Sequence, residues 1–218
     1  YATNTDVYPQ EVFRYNLDGK GFSKLFDGAI VDCNQTGDIL YYESSEDEKG
    51  NSGLLAYNTA TGVSKVMYPA AEGVEISYLG KYSGILYIAR KDGGLLYIDG
   101  VTEEDGTVEQ DLLAKGLEAG QIASFYADEH YILFSAGEYE GSMGMWTGTF
   151  YSYNRSLKSL TEIHVTDDAS FHAADGYVYY QKYDNQGEGA NELCRMDFAF
   201  EEEEKIGESL TYLAYDEK

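Results

Sequence analysis

The sequence predicts an all-β fold, a β-propeller of four-stranded antiparallel blades, and three observations carry that expectation. A short apolar and aromatic segment recurs at one fixed interval. A second column of strand-and-turn segments recurs beside it. The composition, with 22 tyrosines, 24 glycines and only two prolines in 218 residues, suits many short strands joined by tight turns. At 43% apolar residues the chain has enough to bury a core, so it is neither a disordered acidic tail nor a collagen-like repeat.

The fixed interval comes first, because a missed period misassigns a whole fold. LYY at 40–42, LYI at 86–88, LF at 133–134 and VYY at 178–180 each follow a turn, in order TGD, YSG, DEH and ADG. Their last residues, Tyr42, Ile88, Phe134 and Tyr180, stand 46 positions apart three times over. These are the second strands. The first strands precede them as AIVDC (29–33), EISYL (75–79), QIASF (121–125) and ASFHA (169–173).

The third strands are VFRYN (12–16), LLAYN (54–58), LLYID (95–99), FYSYN (150–154) and LCRMD (193–197). They end in Asn16, Asn58, Asp99, Asn154 and Asp197, residue types that start turns by bonding the following backbone, so every copy is expected to be a strand closed by an Asx turn. Short fourth strands follow, among them SKLF (23–26), SKVM (64–67), QDLL (110–113), SLTEI (159–163) and EKI (204–206). No segment has a helical period. A repeated four-stranded antiparallel unit of this length is the signature of propeller blades around a central channel.

The whole chain, 1–218, is expected to form one propeller domain, with units at about 28–67, 74–113, 120–163 and 168–207 and one further blade split between 1–27 and 208–218. Either the two ends meet and close a five-bladed ring, or five blades' worth of a six- to eight-bladed ring is present.

The formal net charge of −24 excludes nucleic acid as a main partner, since a phosphate backbone would be repelled. No run of about eighteen apolar residues predicts a transmembrane segment. Cys33 and Cys194 form no CxxC pair and are expected as two buried free thiols, and His130, His164 and His172 show no metal-binding spacing. DNQGEG at 184–189 looks superficially like a calcium loop, but Arg195 stands where such a loop needs a glutamate. No metal and no cofactor is expected.

Alternating strand direction sorts the connections onto two faces. Those after the second strands vary most: 43–53, 89–94, 136–149 and 181–192. Variable loops on a rigid scaffold are where binding residues usually sit. The single tryptophan, Trp146, lies in the longest of them with Tyr139, Met143 and Met145, and the next blade adds Tyr183 and Asp184. Aromatic side chains there suit stacking on a sugar or anchoring a polypeptide. The same residues would equally serve to cover their own blade. The negative charge selects neither face, being spread over both.

The segments YNLDGKGFSKLF (15–26) and GDILYY (37–42) resemble the secreted bacterial propeller family of unknown function related to low-density-lipoprotein-receptor YWTD repeats and TolB-like propellers. Where YWTD would stand, this chain has YYES (41–44), YIAR (87–90), LFSA (133–136) and YYQK (179–182). The resemblance implies a secreted or cell-surface location in a bacterium and no particular activity.

Three functions remain open. The leading one is a non-catalytic extracellular binding module for a glycan or protein. The second is a glycoside-processing enzyme using Asp32, Glu75, Asp167 or Asp168, on or just before first strands, where two carboxylates about 5 to 9 Å apart would be needed. The third is a structural spacer of a larger surface protein.

Overall fold

The computed structural model describes residues 2–4, 11–15, 20–44, 53–113, 116–118, 121–140, 145–165, 170–182 and 192–208. Every regular element among them is a strand. They form two compact units, 1–112 and 113–218.

The first unit holds three antiparallel sheets. β1 (Ala2–Asn4), β2 (Glu11–Tyr15) and β3 (Phe22–Asp27) make a three-stranded sheet. β4 (Ala29–Cys33), β5 (Ile39–Ser44), β6 (Gly53–Asn58) and β7 (Val63–Pro69) make the next, and β8 (Glu75–Tyr82), β9 (Ile85–Asp92), β10 (Leu95–Thr102) and β11 (Val108–Glu109) the third. In the second unit, β12 (Gln121–Ala127), β13 (Tyr131–Glu140), β14 (Met145–Asn154) and β15 (Ser159–Val165) form one sheet. β16 (His172–Ala174), β17 (Tyr177–Lys182), β18 (Glu192–Asp197) and β19 (Glu203–Glu208) form the other. Within each sheet the strands follow chain order, which is the up-and-down meander of propeller blades. The three-stranded sheet contains the second, third and fourth strands of its blade. Residues 209–218, expected to supply the first, lie outside the described residues.

The period of 46 is a packing period. Tyr42, Ile88, Phe134 and Tyr180 occupy the second strand of each complete blade, all within about 1% of full burial. Strands β5, β9 and β13 are buried on both faces, whereas β17 alternates between buried and half-buried residues. Leu40 and Tyr42 pack with Val12 and Phe26 of the preceding sheet, while Tyr41 packs with Leu86, Ile88 and Val101 of the following one. A strand buried on both sides needs a continuous apolar run rather than alternation, which is why LYY and LYI stand out. Fourth strands are the outer edges and carry exposed Lys24, Lys65, Glu162 and Glu204, charges that discourage edge-to-edge pairing.

Polar contacts between neighbouring blades recur at the same spacing. The Tyr78 hydroxyl donates to Asp32 Oδ2 at 2.5 Å, 46 residues apart; the Ser152 hydroxyl donates to the Phe198 carbonyl, also 46 apart; and the Phe171 amide donates to Ser124 Oγ at 3.0 Å, 47 apart. A β-bulge recurs too, at Val12/Phe13, Leu54/Leu55 and Leu193/Cys194, the same position of the third strand.

The structure corrects several expectations. Cys33, expected buried, is exposed, and the fourth strand expected at QDLL (110–113) lies earlier, at Val108–Glu109. Asn58 and Asn154 end their strands in Asx turns, accepting from the amides of Ala60 and Thr61 and of Ser156 and Leu157. Asp99 does not: β10 runs on to Thr102, because the Asp99 carboxylate is buried and satisfied elsewhere. The connection placed at 89–94 shrinks to Gly93 and Gly94. Most of the connection placed at 136–149 is strand, leaving 141–144 between β13 and β14. No helix among the described residues is long and apolar enough to cross a membrane.

Candidate functional site

Tyr139 lies near the end of β13, and Met145 and Trp146 open β14. Backbone register pairs Tyr139 with Trp146 and Glu140 with Met145. Met143, Tyr183 and Asp184 lie outside the described residues, as do Asp167, Asp168 and the calcium-like segment 184–189. Tyr139 and Trp146 are therefore brought together by pairing, a closer relation than a shared loop.

The two strands are ten residues each, the longest among the described elements. Their flanking strands stop short. β12 pairs with Ile132–Gly137 and β15 with Gly148–Asn154. Among the described residues, the segments Glu138–Glu140 and Met145–Thr147 beyond Gly137 and Gly148 pair only with each other, forming a two-stranded ribbon past the described ends of β12 and β15. Among the described residues, the backbone N–H and C=O groups on the outer edges of this ribbon have no ladder partner.

Asp32, on β4, is fully engaged. Its Oδ1 accepts from the Cys33 amide at 2.6 Å, its Oδ2 accepts from Tyr78, and Lys81 lies 3.9 Å away. Burial, reinforced by Asp32, pushes the Tyr78 phenol far above the ordinary tyrosine range. Lys81 also approaches Glu103 at 3.6 Å, and Glu103 accepts from the Tyr41 hydroxyl at 2.7 Å. Glu75 opens β8 on an exposed position. Asp32 thus has tyrosine and lysine partners rather than a second free carboxylate. Among the described residues no group of three or more His, Cys, Asp or Glu is placed to hold a metal ion.

Two recesses were not anticipated from the sequence. In the first unit a recess of about 600 Å3 is lined by Tyr68, Val74, Arg90, Asp92, Val108 and Gln110. At its base Asp99 has no exposed surface and accepts from Arg90 Nε at 2.8 Å, the Tyr68 hydroxyl at 2.6 Å and the Asp111 amide at 2.7 Å. Arg90 also meets Asp111 at 2.5 Å and Asp92 at 3.3 Å, and its guanidinium lies 4.2 Å from the Tyr97 ring centre. In the second unit a recess of about 380 Å3 is lined by Ile163, His164, Tyr180, Lys182, Met196 and Glu203. Here Glu203 accepts from the Tyr180 hydroxyl and pairs with Lys182, and the His164 ring bonds the Thr149 hydroxyl at 2.8 Å.

Arg90 and Lys182 are 92 residues apart, two repeat intervals, so each recess has its cation at the same place on a second strand. Ser44 and Ala136 hold that place in the other two complete blades. That spacing was a signal available in the sequence; the carboxylates that answer each cation come from different columns, and gave none.

No protein-family model matches the chain, and no curated protein sequence does. Solved structures do. Prolyl endopeptidase structures align with a TM-score of 0.58 at 8% identity, over 94% of this chain and 32% of theirs. Oligopeptidase B from Leishmania major aligns with a TM-score of 0.55 at 13% identity, over 92% of this chain and 31% of that one. TolB from Acinetobacter baumannii aligns with a TM-score of 0.49 at 14% identity, over 90% and 48%. The chain spans between 31% and 48% of the length of these structures. At such identities the likeness is one of fold alone, and the fold is that of a β-propeller.

Proposed function

We propose that this chain is a non-catalytic binding module of a bacterial surface or secreted protein, engaging a protein or glycan through the ribbon that carries Tyr139 and Trp146. The observation that supports this reading is the ribbon itself, whose edges outrun their sheet beside a paired tyrosine and tryptophan. Free strand edges offer main-chain hydrogen bonds to an added strand, and a large aromatic pair supplies area at low entropic cost. The location rests on the family resemblance of the sequence. A catalytic reading is the weaker one, because Asp32, one of its four carboxylates, is tied into hydrogen bonds between blades.

The test is binding of the wild-type chain and of Trp146→Ala and Tyr139→Ala to protein and glycan arrays, with thermal unfolding as the folding control. The expected result is a ligand signal lost in both variants at an unchanged midpoint. A signal that survives both substitutions moves the binding surface elsewhere.

A further inference from the structure

The recess of about 600 Å3 in the first unit holds more negative charge than its buried ion pair needs. It lies between the sheets β4–β7 and β8–β11, with Tyr68 on β7 and Arg90 and Asp92 on β9 among its lining residues. Asp99, wholly buried, balances Arg90 by itself. The other two guanidinium nitrogens are nevertheless engaged as well, Nη1 by Asp92 at 3.3 Å and Nη2 by Asp111, next to Gln110, at 2.5 Å. One cation therefore meets three carboxylates. The side chains of Asp92 and Asp111 remain 55% and 49% exposed, and among the described residues their second oxygens have no partner.

Carboxylates gathered on one guanidinium repel each other, and a second cation relieves that repulsion. An anion would instead meet an arginine whose charge is already more than spent. The recess is also lined by apolar surface, with Pro69, Ala71 and Val108 exposed and Val74 half-buried. The second unit repeats this balance with different residues. Lys182 stands where Arg90 does, two repeat intervals along, and Glu203, opposite Met196, holds the place of Val108, opposite Val101. That recess of about 380 Å3 again sets two carboxylates, Glu201 and Glu203, against one cation. The cation and its surplus of carboxylate persist although Asp99 has become Cys194 and Val108 has become Glu203.

We propose that the recess at Arg90 receives a lysine or arginine side chain of a partner polypeptide, its charged head between Asp92 and Asp111 and its methylenes against Val74 and Val108. Such side chains lay their stems along apolar surface while the head keeps polar company, which is the division this recess offers. A chain of net charge −24 also draws basic partners toward it. This site is distinct from the ribbon: its lining residues all lie in the first unit, between Tyr68 and Gln110.

The experiment titrates the isotope-labelled chain with the pentapeptide acetyl-Gly-Ser-Lys-Ser-Gly-amide and follows backbone amide resonances. The expected result is saturable shifts at Val74, Arg90, Asp92 and Val108, with an affinity in the low-millimolar range for so small a ligand. Binding to the double variant Asp92→Asn, Asp111→Asn should be about tenfold weaker, the worth of two half-exposed ion pairs. Both substitutions leave Arg90 on Asp99, and thermal unfolding checks that the variant folds. On the wild-type chain, the same peptide with norleucine for lysine should move none of these resonances. Shifts undiminished in the double variant, equal shifts with the norleucine peptide, or no saturable shift with the lysine peptide each overturn the proposal. Methyl glucoside or spermidine moving these resonances while the lysine peptide does not overturns it too, and assigns the recess to a glycan or to a free polyamine. No readout involves Tyr139 or Trp146, so failure here leaves the ribbon reading untouched.

Discussion

Arg90 and Asp99 form an ion pair across the β9–β10 hairpin, Nε to Oδ2 at 2.8 Å, with the aspartate wholly buried. Removing one member of such a pair leaves an uncompensated charge, whereas replacing both by apolar residues of similar size is often neutral. Arg90→Met alone is therefore expected to cost about 3 to 5 kcal/mol, and Arg90→Met with Asp99→Leu clearly less than that single change. Urea unfolding of the two variants checks this. A double variant at least as unstable as the single one would show that Tyr68 and the Asp111 amide, left without their acceptor, outweigh the removed charge.

Alkaline stability follows from four phenols. Burial is the main cause that raises Tyr41, Tyr68, Tyr78 and Tyr180, each reinforced by a carboxylate partner: Glu103, Asp99, Asp32 and Glu203 respectively. In the unfolded chain a tyrosine titrates near 10. A group whose folded value lies above its unfolded one contributes stability that is intact below about pH 10 and drains away as pH rises further. Tyr78→Phe should cost about 1 to 2 kcal/mol at pH 8, where Asp32 loses a donor, and the gap from wild type should narrow above about pH 10. Denaturant titrations at pH 8 and pH 11 measure the narrowing, and a gap of constant size refutes it.

The junction between β3 and β4 is one residue, Gly28, at φ +144°. A Cβ there would lie 2.4 Å from the Glu43 carbonyl oxygen and 2.7 Å from Tyr42 Cδ2. Gly84, at φ +76°, would place its Cβ in open space. Gly28→Ala should therefore destabilise by about 3 kcal/mol or more, and Gly84→Ala by about 1 to 2 kcal/mol of backbone strain alone. Comparable losses at the two sites would mean that the chain relaxes around Gly28 more readily than its packing suggests.

What could be seen in the sequence was whatever repeats. Tyr42, Ile88, Phe134 and Tyr180 mark the second strands because the same position is buried in every complete blade, and in β5, β9 and β13 burial on both faces adds an apolar run. Asp99 reads as a turn former because it stands in a column of turn formers, but in the structure β10 continues past it. Its true role depends on Arg90, nine residues away across the hairpin, and on Tyr68 from the neighbouring blade. The recesses were hidden for the same reason. The ribbon reads as a loop because 136–149 is the longest of the variable connections after second strands, whereas pairing of Gly137 with Gly148 simply continues the ladder.

The contacts spaced by 46 or 47 residues have a genetic consequence. Asp32 meets Tyr78 between the β4–β7 and β8–β11 blades, and Ser124 meets Phe171 and Ser152 meets Phe198 between the β12–β15 and β16–β19 blades, so each of these joints has its two halves about one unit apart. Deleting or duplicating a whole unit keeps such positions in phase, while removing half a unit puts them out of phase. A lineage built this way can change its number of blades in a single recombination step without shifting the register of the repeat.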